Sequence, residues 1–149
     1  MTDEQSRSLT RRDALRGAAA LCGLTLLSLG ISEAQAAAPA QAGITILPDG
    51  RVQVTPSKVA ALKKIGGVVA LPPVKGTPAA LRRTGTSTYV AVSLRCPHVG
   101  AISTPQPTGF VCNAHGSRFN QTGVVTQGPA TSNLAKLRVT RSGSNLIIG

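Results

Sequence analysis

A chain of 149 residues with 42% hydrophobic content is long enough for one domain and one core, and little more. With 2% aromatic residues and no Trp it lacks the rings that stack nucleic-acid bases, so a net charge of +11 points to an acidic protein or an anionic lipid surface, not to RNA or DNA. That charge is lopsided: residues 1–36 hold four Arg against four acids, whereas the rest hold 12 Lys and Arg against Asp49 alone.

From the N-terminus, Thr10-Arg11-Arg12-Asp13-Ala14-Leu15-Arg16 resembles the twin-arginine export motif, with Thr10 where Ser is usual and Ala14 where Phe is usual. The apolar stretch Gly17–Ile31 follows, and then Ala34-Gln35-Ala36, which has the A-x-A form of a signal-peptidase site. Residues 1–36 are therefore read as a signal segment, 37–56 as a leader with a short hairpin, and 57–149 as the domain that carries the chemistry. A retained membrane anchor is the competing reading. It needs about 20 apolar residues, and the 15 available are closed off by Arg16 and Glu33. Cys22 is preceded by Leu21, where a lipoprotein requires a small residue, so it is expected to be inert. The twin-arginine route moves folded proteins, often with cofactors already inserted, to the periplasm or another extracytoplasmic space.

Past the leader the pattern is strand-like, as a core of Val, Ile, Leu and Ala favours. Ile44–Leu47 and Val52–Val54 flank the turn residues Pro48-Asp49-Gly50. Ser57–Ile65 carries Val59, Leu62 and Ile65 at helical spacing, with Ser57 as a cap and Gly66-Gly67 as a stop, which predicts one short turn of helix. Val68–Leu71 reads as a strand ending at Pro72-Pro73. Ala79–Arg83 with Thr88–Leu94, and Leu137–Thr140 with Asn145–Ile148, read as hairpins. The expected fold is all-β, small and antiparallel. Residues 95–131, where Gly, Pro, Asn and Cys gather, read as loops between strands.

Those loops hold the chemistry. Cys96-Pro97-His98-Val99-Gly100 is followed, with 13 residues between His98 and Cys112, by Cys112-Asn113-Ala114-His115-Gly116-Ser117-Arg118-Phe119. Each site pairs one Cys with one His, as C-x-H and C-x2-H. A [2Fe–2S] cluster with two thiolates on one iron and two neutral imidazoles on the other uses this donor set. Two ferric irons, two sulfides and two thiolates sum to zero charge, and one added electron makes −1. An all-thiolate cluster starts at −2 and is harder to reduce. Zinc also takes two Cys and two His, although zinc fingers run Cys, Cys, His, His and this chain alternates. A plain Cys96–Cys112 disulfide would suit an exported protein but leaves the placement of the chain's two His unexplained.

The motifs Cys96-Pro97-His98-x-Gly100, Cys112-x-x-His115-Gly116-Ser117-x-Phe119 and Gly128-Pro129-Ala130 resemble those of the Rieske family, over roughly Ile65 to Ile148. The resemblance implies an antiparallel β fold with two cluster-binding loops at one tip. It implies Cys96, His98, Cys112 and His115 as ligands, Ser117 as a donor to a bridging sulfide, and a shielding loop at Gly128-Pro129-Ala130. Quinol-oxidising members carry an extra Cys in each cluster loop, joined as a disulfide. Ala101 and Ala114 stand at those places, as in many Rieske-type ferredoxins. Phe119 stands where high-potential members have Tyr, which implies a potential in the middle of the range from about −150 to +300 mV.

Without a loop disulfide, residues 96–119 are expected to lose order when the cluster is removed. The second nitrogen of each ligand His faces solvent in the family, and Arg118 is a charge beside it. One-electron transfer is the function so implied, with an acidic redox partner (a cytochrome, a copper protein or an oxidoreductase large subunit) or a quinol. With both His committed and one carboxylate in the mature part, no independent catalytic site is visible. A membrane partner is expected only if the signal segment is kept.

Overall fold

Short alternating strands joined by Gly turns build this chain, and the computed structural model describes them for residues 41–149. The export motif, the A-x-A site and Cys22 lie outside the described residues. The Asp49-Gly50 turn joins β1 (Ile44–Ile46) to β2 (Val52–Val54), as the sequence predicts, with Gly50 at φ +77°. Asp49 accepts both the backbone N–H (3.0 Å) and the Nε–H (2.5 Å) of Arg51, which hold its carboxyl below the usual 3.8. At the other end of the chain, β11 (Val139–Ser142) and β12 (Asn145–Ile148) form the expected hairpin. The two hairpins join into one antiparallel sheet in the order β1-β2-β12-β11. Its inward residues, Val52, Val54, Leu146 and Ile148, are buried in a first core.

A second antiparallel sheet runs β10 (Lys136–Leu137), β5 (Tyr89–Ser93), β4 (Thr77–Arg83), β3 (Val68–Val74). Alternation along its strands feeds two cores at once. Ala79, Leu81 and Ala91 face the first, while Ala80 and Val92 face a second, which also holds both described cysteines. Two sequence expectations need correction here. β3 does not stop at Pro72-Pro73 but runs to Val74, with a register shift after Leu71. It lies at the sheet edge, where a missing N–H leaves no partner unpaired. The run Leu137–Thr140 is not one strand. It breaks at Arg138, so that Leu137 pairs with β5 and Val139 with β12. The predicted helical turn is a 3-10 helix, Ala60–Lys63, with Leu62 buried; its N-cap is Val59 and has no side-chain cap, so Ser57 does not serve.

Residues 95–131 contain more order than their composition suggested. β6 (Thr104–Gln106), β7 (Gly109–Val111), β8 (Arg118–Phe119) and β9 (Val125–Gln127) form a third antiparallel sheet. Strands of two or three residues are too short for a period-2 pattern to show.

Arg82 ties this sheet to the second. Although 0% exposed, it donates to four backbone carbonyls: Gly66 (2.7 Å), Gln106 (2.5 Å), Pro107 (3.0 Å) and Gly109 (3.2 Å). Its guanidinium carbon is 5.4 Å from the centre of the Phe110 ring. Burial draws its pKa down from the usual arginine value.

Candidate metal centre

Two loops project from the second core, and they are near copies of one another. In the first, Cys96 N–H donates to Ala101 C=O (2.7 Å) and Gly100 N–H donates back to Cys96 C=O (2.8 Å). In the second, Cys112 N–H donates to Ser117 C=O (2.9 Å) and Gly116 N–H to Cys112 C=O (2.8 Å). Gly100 and Gly116 hold φ of +78° and +79°, and an added Cβ would meet nothing within 4 Å at either. Glycine is therefore needed for the backbone angle and not for space. Gly116→Ala should cost about 1–2 kcal/mol in a denaturant melt without any new clash.

The loops begin and end on strands. Arg95 and Ile102 bridge across the base of the first, and β7 and β8 pair at the base of the second. Asn113 Nδ2 also donates to Thr104 Oγ1 (3.2 Å), tying the second loop to β6.

Local geometry sorts the four donors into two kinds. Cys96 and Cys112 are buried, at 1% and 0% exposure, among Ala80, Val92, Phe110, Phe119 and Leu134. Both are free thiols, so the disulfide reading has no support. His98 and His115 are exposed. His98 is the third residue of its loop counted from Cys and His115 the fourth, yet their Nδ1 atoms come to 3.3 Å. Their rings meet edge to face, at 87° with centroids 4.8 Å apart. Two imidazole nitrogens on one tetrahedral metal, with bonds of 2.0–2.1 Å, stand about 3.3–3.4 Å apart. Among the described residues no three His, Cys, Asp or Glu side chains converge as a mononuclear site requires. In a two-iron centre of this donor set each iron takes two protein ligands.

Ser117 is fully buried beside them. Its oxygen accepts the N–H of Ala130 (3.0 Å), from the loop whose Gly128-Pro129 bond is cis. Among the described residues its hydroxyl hydrogen has no acceptor, so it is available to a group held between the loops. Phe119 pairs with Phe110 across β7 and β8, and both rings floor the site. Ala101 is half-buried and Ala114 exposed. Arg82 was the residue that the sequence reading missed, and its signal was a lone charge on the same strand face as Ala80.

The family model described as Rieske [2Fe-2S] domain matches residues 51–138, more than half of the chain. Among curated proteins, the chain is 38% identical over 56 residues to the cytochrome b6-f complex iron-sulfur subunit of Prochlorococcus marinus (strain MIT 9303), covering 36% of this chain and 31% of that one. It thus spans about a third of that relative's length. Among solved structures it resembles the plasma membrane Rieske protein PetC3 of Synechocystis PCC 6803. The identity is 30% and the TM-score 0.50, over 56% of this chain and 86% of the other. A chain in the complex of reduced oxygenase and oxidized ferredoxin in carbazole 1,9a-dioxygenase has the same fold at 23% identity. The TM-score there is 0.50, over 68% of this chain and 94% of the other. With its all-β architecture, paired loops and family match, the chain belongs to the Rieske [2Fe-2S] domain family, whose cofactor is a [2Fe–2S] cluster.

Proposed function

We propose that this protein carries single electrons outside the cytoplasm. In this reading Cys96 and Cys112 hold one iron of a [2Fe–2S] cluster and His98 and His115 hold the other. The signal segment sends the folded protein through the twin-arginine route, and residues 57–149 act as the working domain. The observation that carries the reading is the donor set itself: two buried free thiols beside two exposed imidazoles whose Nδ1 atoms are 3.3 Å apart. Bound there, the cluster supplies one-electron oxidation and reduction.

The protein's own residues do the rest. The apolar wall of Phe110, Phe119 and Leu134 keeps water from the thiols, while the exposed imidazoles are where a partner would approach. Val99 and Ile102, at 62% and 50% exposure, surround that tip with apolar surface, and the exposed Arg95 and Arg118 flank it. Such a rim suits an acidic redox protein, because opposite charge steers encounter. A redox titration followed by electron paramagnetic resonance tests the assignment. A one-electron couple with the spectrum of a mixed Cys/His cluster is expected, and a colourless zinc protein would overturn it.

A quinol-oxidising membrane enzyme is the second reading, favoured by the similarity to a cytochrome b6-f subunit. Ala101 and Ala114 speak against it, because the loop disulfide of those subunits has no counterpart here. No described helix is long and apolar enough to cross a membrane. Sequencing the N-terminus of the exported protein separates the two: Ala37 for a released carrier, an uncleaved segment for an anchored one.

Hydrogen bonds to sulfur stabilise the added electron. Removing Ser117's hydroxyl (Ser117→Ala) should lower the midpoint potential by roughly 60 mV, the equivalent of about 1.4 kcal/mol. Phe119→Tyr should raise it, and potentials unmoved by both changes would count against these roles.

A further inference from the structure

We propose that the protein has a second, separate site, which binds a phosphate group carried on a small organic molecule or a lipid. It is an open surface hollow of about 540 Å³ bordering the first core, while the metal centre belongs to the second. Three cations line it, Lys63, Arg83 and Arg141, and no carboxylate does. They come from three different elements: the 3-10 helix, β4 and β11. Their convergence is therefore a product of the fold and not of a local run of charge.

Like charges gathered in one concavity repel, and among the described residues no carboxylate lies there to neutralise them. Asp49, the one acid among the described residues, is already paired with Arg51. The arginines are instead held in place by neutral carbonyls, which fix position without cancelling charge. Arg83 donates to Gly85 (3.0 Å), Leu62 (3.1 Å), Lys63 (2.9 Å) and Thr86 (2.5 Å), with its guanidinium carbon 6.0 Å from the Tyr89 ring centre. Arg141 gives one N–H to Ser87 (3.0 Å) and keeps the others. Ordering these side chains in advance removes much of the entropy that binding would otherwise cost.

The class of ligand follows from the donors. A phosphate monoester carries close to two negative charges and at least three acceptor oxygens. It can engage the free N–H groups of Arg141, the one N–H that Arg83 has left, the Lys63 ammonium and a hydroxyl such as that of Ser57, whereas a carboxylate saturates on one arginine fork. The cavity is also larger than a lone inorganic ion needs. The half-buried Tyr89 on its wall is apolar surface for the organic part.

The experiment uses the full-length protein with its cluster, whose visible spectrum reports intact folding. Binding of inorganic phosphate and glycerol 3-phosphate is measured by titration calorimetry. Binding to phosphatidylcholine vesicles with and without phosphatidic acid is measured by sedimentation. Native protein is compared with Lys63→Gln/Arg141→Gln and with a control of equal charge loss, Lys136→Gln/Arg138→Gln. Saturable binding is expected, weakened at least roughly tenfold by the first pair and unchanged by the second. Response to glycerol 3-phosphate identifies a soluble ligand, and response only to phosphatidic acid identifies a lipid headgroup. Equal loss in both double variants, acetate competing as well as phosphate at matched ionic strength, or no saturable binding to any probe would overturn the proposal.

Discussion

Replacing Arg82 by alanine is expected to destabilise the protein by about 3–5 kcal/mol, a large part of the net stability of a domain this size. The guanidinium is fully buried and donates to carbonyls of Gly66, Gln106, Pro107 and Gly109. Three of these belong to the β6–β7 hairpin and its turn, so one side chain from the second sheet holds the third in place. Deletion leaves acceptors without their donor and opens a void beneath Phe110. Arg82→Lys keeps the charge but loses the planar fork, and cannot reach four carbonyls at once. It should recover only part of the loss. Urea melts followed by far-ultraviolet circular dichroism and by visible absorption check both variants. The visible signal is expected to fail at lower urea than the circular dichroism, because Arg82 anchors the hairpin that leads into Cys112. Coincident transitions with an unchanged midpoint would refute that role.

Cys112→Ser should abolish cluster assembly altogether, and Cys96→Ser should do the same, while Cys22→Ser leaves the visible spectrum intact. A serine hydroxyl is a poor iron ligand at neutral pH, and both cysteines lie in the same buried core, which holds no other thiol among the described residues. Losing the crosslink between the loops also removes binding energy that is folding energy. The resulting disorder should be narrower than the motif suggested. Residues 104–111 pair as β6 and β7 and are held by Arg82, so limited proteolysis should cut near 97–100 and 113–116 and spare the hairpin between them. Uniform cleavage across 96–119 would show that the cluster, and not the hairpin, orders this segment.

Legibility in the sequence followed the length of each signal. Paired Cys and His at fixed spacing identified the candidate donors directly, and turn residues such as Asp49-Gly50 marked hairpins whose strands ran three residues or more. The third sheet was invisible because β8 is two residues long and its neighbours three, which leaves no alternation to read. β3 was cut short because Pro72-Pro73 usually ends a strand, and only the strand's place at the sheet edge permits the continuation. The Lys75-Gly76 turn joining β3 to β4, with φ of 47° and 76°, was likewise unmarked, because Lys is not a residue that announces a left-handed angle. Arg82 was hidden for another reason: nothing local says that a charged side chain will find four carbonyls contributed by distant segments.

Each metal-site loop is closed by two backbone hydrogen bonds of its own. In the proposed reading an electron added there would change the charge of the site without requiring the ring of bonds that orients Cys and His to break. The donors would then already be where both oxidation states need them, and little nuclear motion would be required of the protein when the electron moves. The speed of transfer would fall instead to how closely a partner can bring its own redox group to the rims of His98 and His115.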